Sequence, residues 1–168
     1  MEAAEVRFNV IDDSGLLGLV DLANYPSFVS EDWTYESLLS HFADQMIRRT
    51  MLVWDCGDGG DNYRIEVRRK IGSERGFREA LGGMIASENR LYVVSYGALT
   101  MAAQFADEIL PSKHEAEFSV PVEPGPYRVR IVQMFEPSRV NETSGPDFLI
   151  EIEPGTAPHW QTVQWLRA

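Results

Sequence analysis

The chain has 168 residues, 44% of them hydrophobic, with one cysteine and a formal net charge of −11. That length and apolar content suit one globular domain and exclude wholesale disorder, and a lone cysteine excludes an internal disulfide. The acidic balance argues against nucleic acid and anionic membranes as partners.

Val6, Phe8 and Val10 alternate with Arg7 and Asn9, which predicts a strand over 5–11. Asp12-Asp13-Ser14-Gly15 is turn chemistry, and 16–22 reads as a second, more buried strand. Asn24-Tyr25-Pro26 breaks it. Trp33, Leu38, Leu39 and Phe42 recur at helical spacing, predicting a helix capped by Ser30 or Asp32 and running through Asp44. Residues 46–55 predict a strand, Cys56 to Asn62 a flexible turn, and Tyr63, Ile65 and Val67 the return strand. In 71–83, Phe77, Ala80, Leu81 and Met84 fit a helical face that Gly82-Gly83 would end early, so the stretch stays ambiguous. Short strands over 84–86 and 91–95 follow, then a strand or short helix over 99–105.

Around Pro124-Gly125-Pro126, the run Phe118, Val120, Val122 meets the run Tyr127, Val129, Ile131. This predicts a β-hairpin whose Arg128 and Arg130 project to water. A loop over 136–146 and a strand over 148–152 come next. The tail 160–166 is amphipathic enough to dock as one more strand.

The segment 7–16 resembles 90–99, and 62–67 resembles 126–131. Equal spacings separate Tyr63 from Met84 and Tyr127 from Phe148. Two units, each too small to bury its apolar face alone, would cover each other. The expected fold is therefore mainly β: one domain over 1–168, an antiparallel β-sandwich of two similar repeats (about 5–87 and 90–153) with one short helix inserted in the first. A tail over 154–168 completes it.

Charge is uneven. Residues 1–45 hold nine acids against one base, a net of −8, whereas 46–78 are net +3. No run of residues carries an evident catalytic or metal-binding pattern. Asp55, Asp58 and Asp61 do not follow calcium-loop spacing, and His41, His114 and His159 lack partners at ligand spacing and read as surface or capping residues. Cys56 sits between acids that would raise its pKa, and nucleophile and phosphate-loop motifs are missing. The basic run Arg68-Arg69-Lys70, with Arg75 and Arg78, lacks interleaved aromatics, so ion pairing with the acidic half is the better reading. No cofactor or metal is expected. The longest apolar runs, such as 14–22, are too short for a bilayer span, and residues 1–10 lack the basic start of a secretion signal, so a cytoplasmic setting is expected.

The strand Leu91 to Val94, the run Phe118-Ser-Val-Pro-Val-Glu-Pro-Gly-Pro-Tyr-Arg-Val and the strand Asp147-Phe-Leu-Ile-Glu-Ile together resemble the ComJ family of small bacterial nuclease inhibitors, and more loosely immunity proteins encoded beside toxins. Against a single-unit protein, this chain carries a second copy and the acidic insertion. The resemblance implies a non-enzymatic inhibitor. With the −8 segment it leads to an acidic binding protein for a basic partner such as a toxin nuclease, with Glu31, Asp32, Trp33, Tyr35, Glu36 and Asp44 as contacts. Competing readings are a ligand-binding or hydrolytic sandwich with a cleft between the repeats, and a structural protein associating through the 160–166 tail.

Overall fold

A computed structural model describes residues 6–11, 15–57, 62–139 and 144–166. The strands are β1 (Val6–Ile11), β2 (Leu16–Val20), β3 (Met51–Asp55), β4 (Asn62–Arg68), β5 (Arg78–Ala86), β6 (Arg90–Ser95), β7 (Ser119–Pro121), β8 (Gly125–Gln133) and β9 (Phe148–Pro154). Helix α1 is Tyr35–Ile47 and α2 is Tyr96–Gln104. Strands β1-β4-β9-β8-β5 form one sheet and β3-β2-β6-β7 the other, in those orders. Between them lies one continuous apolar core, in which Trp54, Tyr63, Phe148, Val93, Val129 and Ile150 are buried. The arrangement is mainly β and sandwich-like.

The period-two reading of individual strands holds. Tyr63, Ile65 and Val67 of β4, Val129 and Ile131 of β8, and Phe148, Ile150 and Ile152 of β9 all face the core. The connections differ from expectation. Strands β7 and β8 are not a hairpin: β7 pairs with β6 in one sheet and β8 with β5 and β9 in the other. The Pro-Gly-Pro segment is instead a corner between sheets, with Gly125 at φ 146 where a side chain would be strained. Strands β3 and β4 likewise lie in different sheets; Asp58 and Asp61, between them, lie outside the described residues. The larger sheet is also mixed, because β4 pairs with β9 in parallel.

The order of sheet membership recurs, with β2-α1-β3-β4-β5 followed by β6-α2-β7-β8-β9, but the pairings do not: β8 bonds β9 whereas β4 does not bond β5. The matched segments 7–16 and 90–99 take different places, since β1 is an edge of the larger sheet and β6 an inner strand of the smaller. Among the described residues there are two α-helices rather than one.

Residues 78–86, open between helix and short strand in the sequence, form the nine-residue β5. Glycines 82 and 83 are there because the tail lies against them: a Cβ on Gly82 would meet the Trp160 indole and one on Gly83 the Ala157 carbonyl. The tail adds one bridge, Trp54 to Gln164, rather than a full strand. It covers two sheet edges, because Gly83 donates to the Pro158 carbonyl at 2.9 Å and Asp55 to the Gln164 carbonyl at 2.9 Å.

Candidate functional site

Thr34, not Ser30 or Asp32, caps α1. Its hydroxyl accepts the Ser37 N–H at 3.1 Å while the Ser37 hydroxyl accepts the Thr34 N–H at 2.9 Å, a reciprocal box that starts the helix at Tyr35. Ser30 shapes the preceding turn, accepting the Asp32 N–H on its hydroxyl at 3.1 Å and the Trp33 N–H on its carbonyl at 3.3 Å. Glu31, Asp32, Tyr35 and Glu36 are thereby gathered, all exposed, around the helix start. The positive end of the helix dipole favours carboxylates there. Trp33 is partly buried and packs against the core. Asp44 is exposed but stands apart, about 12 Å along the axis from Glu36 at 1.5 Å per residue.

The turn before α1 is fastened to the end of α2. The Val29 and Ser30 N–H groups both donate to the Ala103 carbonyl, at 2.8 and 3.0 Å, satisfying a last-turn carbonyl that the helix leaves open. Phe28, Met101 and Phe105 each lie within two residues of this seam and remain 44%, 48% and 41% exposed. Sequence reasoning missed them because they come from two distant segments and nothing local announces their exposure.

Not every acid of the first 45 residues belongs to this surface. Asp21 is buried and accepts the Ser87 N–H and hydroxyl at 3.0 and 3.1 Å. Glu2, Glu5, Asp12 and Asp13 lie outside the described residues.

His41 is half-buried rather than fully at the surface. Its Nε2 is buried without a hydrogen-bond partner and its ring lies 5.5 Å from that of Tyr25. Burial lowers its pKa below 6.5, opposed by a hydrogen bond with the Pro26 backbone and by the Asp44 carboxylate. Burial also pushes the Tyr25 phenol well above its ordinary value.

The outer face of the larger sheet carries a charge ladder. Arg130 faces Glu151 across β8 and β9, and Arg68 of β4 faces Glu151 from the other side. Arg130 was expected in water but is 8% exposed, because residues 69–77 form a strap over it. It donates to Glu151 at 2.6 Å, to Glu79, and to the strap carbonyls of Gly72, at 3.2 Å, and Glu74. Arg68 binds Glu66 at 2.6 Å and Glu74 at 2.9 Å. Among the described residues, the carboxylates that meet Arg68 come from β4, the strap and β9 rather than from residues 1–45. Arg78 stacks on Trp165 at 4.4 Å and donates to the Asp55 carbonyl at 2.9 Å. Cys56 is buried. Among the described residues, no three His, Cys, Asp or Glu side chains gather to hold a metal, and no helix is long and apolar enough to cross a membrane.

With its five-stranded sheet over a four-stranded one that carries both helices, the chain has a ComJ-like fold. Among solved structures, the chain is similar to ComJ from Bacillus subtilis, described as an inhibitor of the DNA degrading activity of NucA. That match has 10% identity and a TM-score of 0.50, covering 92% of this chain and 99% of ComJ. It is also similar to the protein of crocagin biosynthetic gene J, with 14% identity and a TM-score of 0.55, covering 90% of this chain and 96% of that one. These identities establish fold alone. Because nearly all of ComJ aligns with nearly all of this chain, the likeness spans both halves rather than doubling a smaller unit. No protein-family profile matches the sequence, and no curated protein matches it.

Proposed function

We propose that the chain is a non-enzymatic inhibitor of the immunity type, which occupies a basic protein partner through the surface where the turn leading into α1 meets the end of α2. The observation that carries this reading is the juxtaposition there of exposed Glu31, Asp32, Tyr35 and Glu36 with the uncovered side chains of Phe28, Met101 and Phe105. Carboxylates accelerate encounter with a cationic surface, and apolar anchors slow escape from it. A nuclease grips DNA through cationic groups, so an acidic surface competes for the same ground. The fold shared with ComJ, itself described as inhibiting a DNA-degrading activity, supports the same class of partner. Asp44 joins the contact as an outlying member, and Trp33 contributes through its uncovered part.

The test uses the product of the neighbouring reading frame as the candidate partner. Replacing Glu31, Asp32 and Glu36 together by lysine should slow association about tenfold or more at low salt and flatten its salt dependence. Phe28→Ala with Met101→Ala should instead speed dissociation while leaving the association rate nearly unchanged. Association rates unaffected by the charge reversal would refute steering through this surface. DNA degradation by the partner that proceeds equally fast with the chain present would remove the inhibitor reading.

A further inference from the structure

We propose that the open end of the sandwich, where the chain turns from β7 into β8, is a binding site for a small organic monocarboxylate with an apolar body, held by Arg69. The site lies apart from the acidic surface and does not depend on the function proposed for it. A groove of about 450 Å³ opens there, a size ordinary for small-molecule sites. Its apolar walls are Pro121 at the end of β7, Val122 just after it, Tyr127 of β8 and Ile152 of β9.

Strand parity explains how a guanidinium comes to stand in such a place. Tyr63, Ile65 and Val67 point inward along β4, and Arg69 continues that parity one step past the strand end. Val122, Tyr127 and Ile152 continue the inward rows of their own strands. The groove is therefore the last layer of the core, left unfilled, with a cation where an apolar side chain would be expected.

Arg7, Arg64, Arg68, Arg128 and Arg130 each meet a carboxylate. Arg69 has no ion pair among the described residues, and its Nε is buried without a hydrogen-bond partner. Burial accordingly lowers its pKa, with the Tyr127 phenol opposing. A buried donor left unmade costs free energy that a bound acceptor would recover. The planar fork of a guanidinium matches a carboxylate with two parallel hydrogen bonds. Tyr127 is held as a wall, since its hydroxyl donates to the Glu123 carbonyl at 2.5 Å. The Glu123 side chain, exposed at the rim, adds a negative charge that discriminates against dianions such as phosphate.

The test is an NMR titration of the full chain labelled with 15N in its arginine side chains, with phenylacetate as probe. Phenylacetate should shift the Arg69 Nε–H resonance saturably. The isosteric amide phenylacetamide should bind at least about tenfold more weakly, the loss expected for a charge-assisted hydrogen bond. Arg69→Gln should abolish the preference for acid over amide, read from the Tyr127 and Val122 resonances, with an otherwise unchanged spectrum showing that the fold is kept. Val122→Trp, which fills the groove and leaves Arg69 in place, should abolish binding of both compounds. Equal binding of acid and amide, inorganic phosphate binding as tightly as phenylacetate, or no saturable shift at Arg69 would each overturn the proposal.

Discussion

Arg130→Met tests whether the outer face of the larger sheet is held as its geometry implies. The guanidinium is 9% exposed at the side chain and faces Glu151, which is 1% exposed, at 2.6 Å. Its removal leaves the Glu151 carboxylate buried with only Arg68 nearby, at 3.9 Å. Removing one member of such a pair costs about 3–5 kcal/mol, a large part of the roughly 5–15 kcal/mol that stabilises a typical domain. Replacing both members by apolar residues of similar volume, as in Arg130→Met with Glu151→Leu, should return stability to within about 1 kcal/mol of the parent, since no charge is then stranded. Urea unfolding followed by tryptophan fluorescence would give the four corners of the cycle, with an expected coupling of at least about 3 kcal/mol. Hydrogen exchange supplies a second readout. Arg130 also fastens the strap through the Gly72 and Glu74 carbonyls, so the Ile71 and Phe77 amides should lose protection in the double variant as well, despite its recovered stability. A single substitution costing less than about 1 kcal/mol, or a double variant as unstable as the sum of the two singles, would refute the reasoning.

Two further outcomes are expected. Gly83→Ala would drive a methyl group into the Ala157 carbonyl and the Arg49 guanidinium, lifting the tail from β5. It would break the bonds Gly83 to Pro158 (2.9 Å), Arg49 to Ala157 (2.7 Å) and Trp160 to Leu81 (2.9 Å), at a cost of about 3 kcal/mol; Trp160 would become open to acrylamide quenching, and an unquenched, fully stable variant would count against this account of the glycine. His41 makes stability pH-dependent. Its folded-state pKa lies below the 6.5 of the unfolded chain, so the unfolded state binds more protons between those values. The contribution is fully present above 6.5 and is lost as pH falls below it toward the folded value. His41→Phe should flatten the slope of unfolding free energy over the pH range just below 6.5, and an identical slope in both proteins would show that another group titrates.

Much of the β structure was legible because alternation is a local property, visible wherever one face of a strand meets the core. What a turn connects is not local. Pro124-Gly125-Pro126 has the composition of a hairpin, yet the corner it makes sends β8 into the opposite sheet, and only the pairing partners β5 and β9, distant in sequence, decide between the two. The parallel pairing of β4 with β9 is invisible for the same reason. Gly82-Gly83 left its stretch ambiguous because glycine breaks a helix and equally admits a crossing chain. The helix start was displaced from Ser30 or Asp32 to Thr34, whose reciprocal partner at the third position is Ser37 rather than the more familiar Glu.

The arginines show where sequence reading stops. Arg68 and Arg69 are neighbours in one basic run, and composition treats them alike. The pleat of β4 sends Arg68 outward to Glu66 and Glu74 and Arg69 inward to a groove without a carboxylate partner among the described residues. Parity alone would have separated them, since Arg69 follows Tyr63, Ile65 and Val67 at even steps; what parity cannot supply is the lid or void that each face meets. Arg130 makes the complementary case, with an outward parity read correctly and water wrongly assumed, because the strap that excludes it is fastened by the same guanidinium. The acidic surface follows this rule too. Glu31, Asp32 and Glu36 lie in one run, whereas Phe28, Met101 and Phe105, which the proposed reading uses to retain a partner, come from two segments that the Val29 and Ser30 hydrogen bonds to the Ala103 carbonyl bring together.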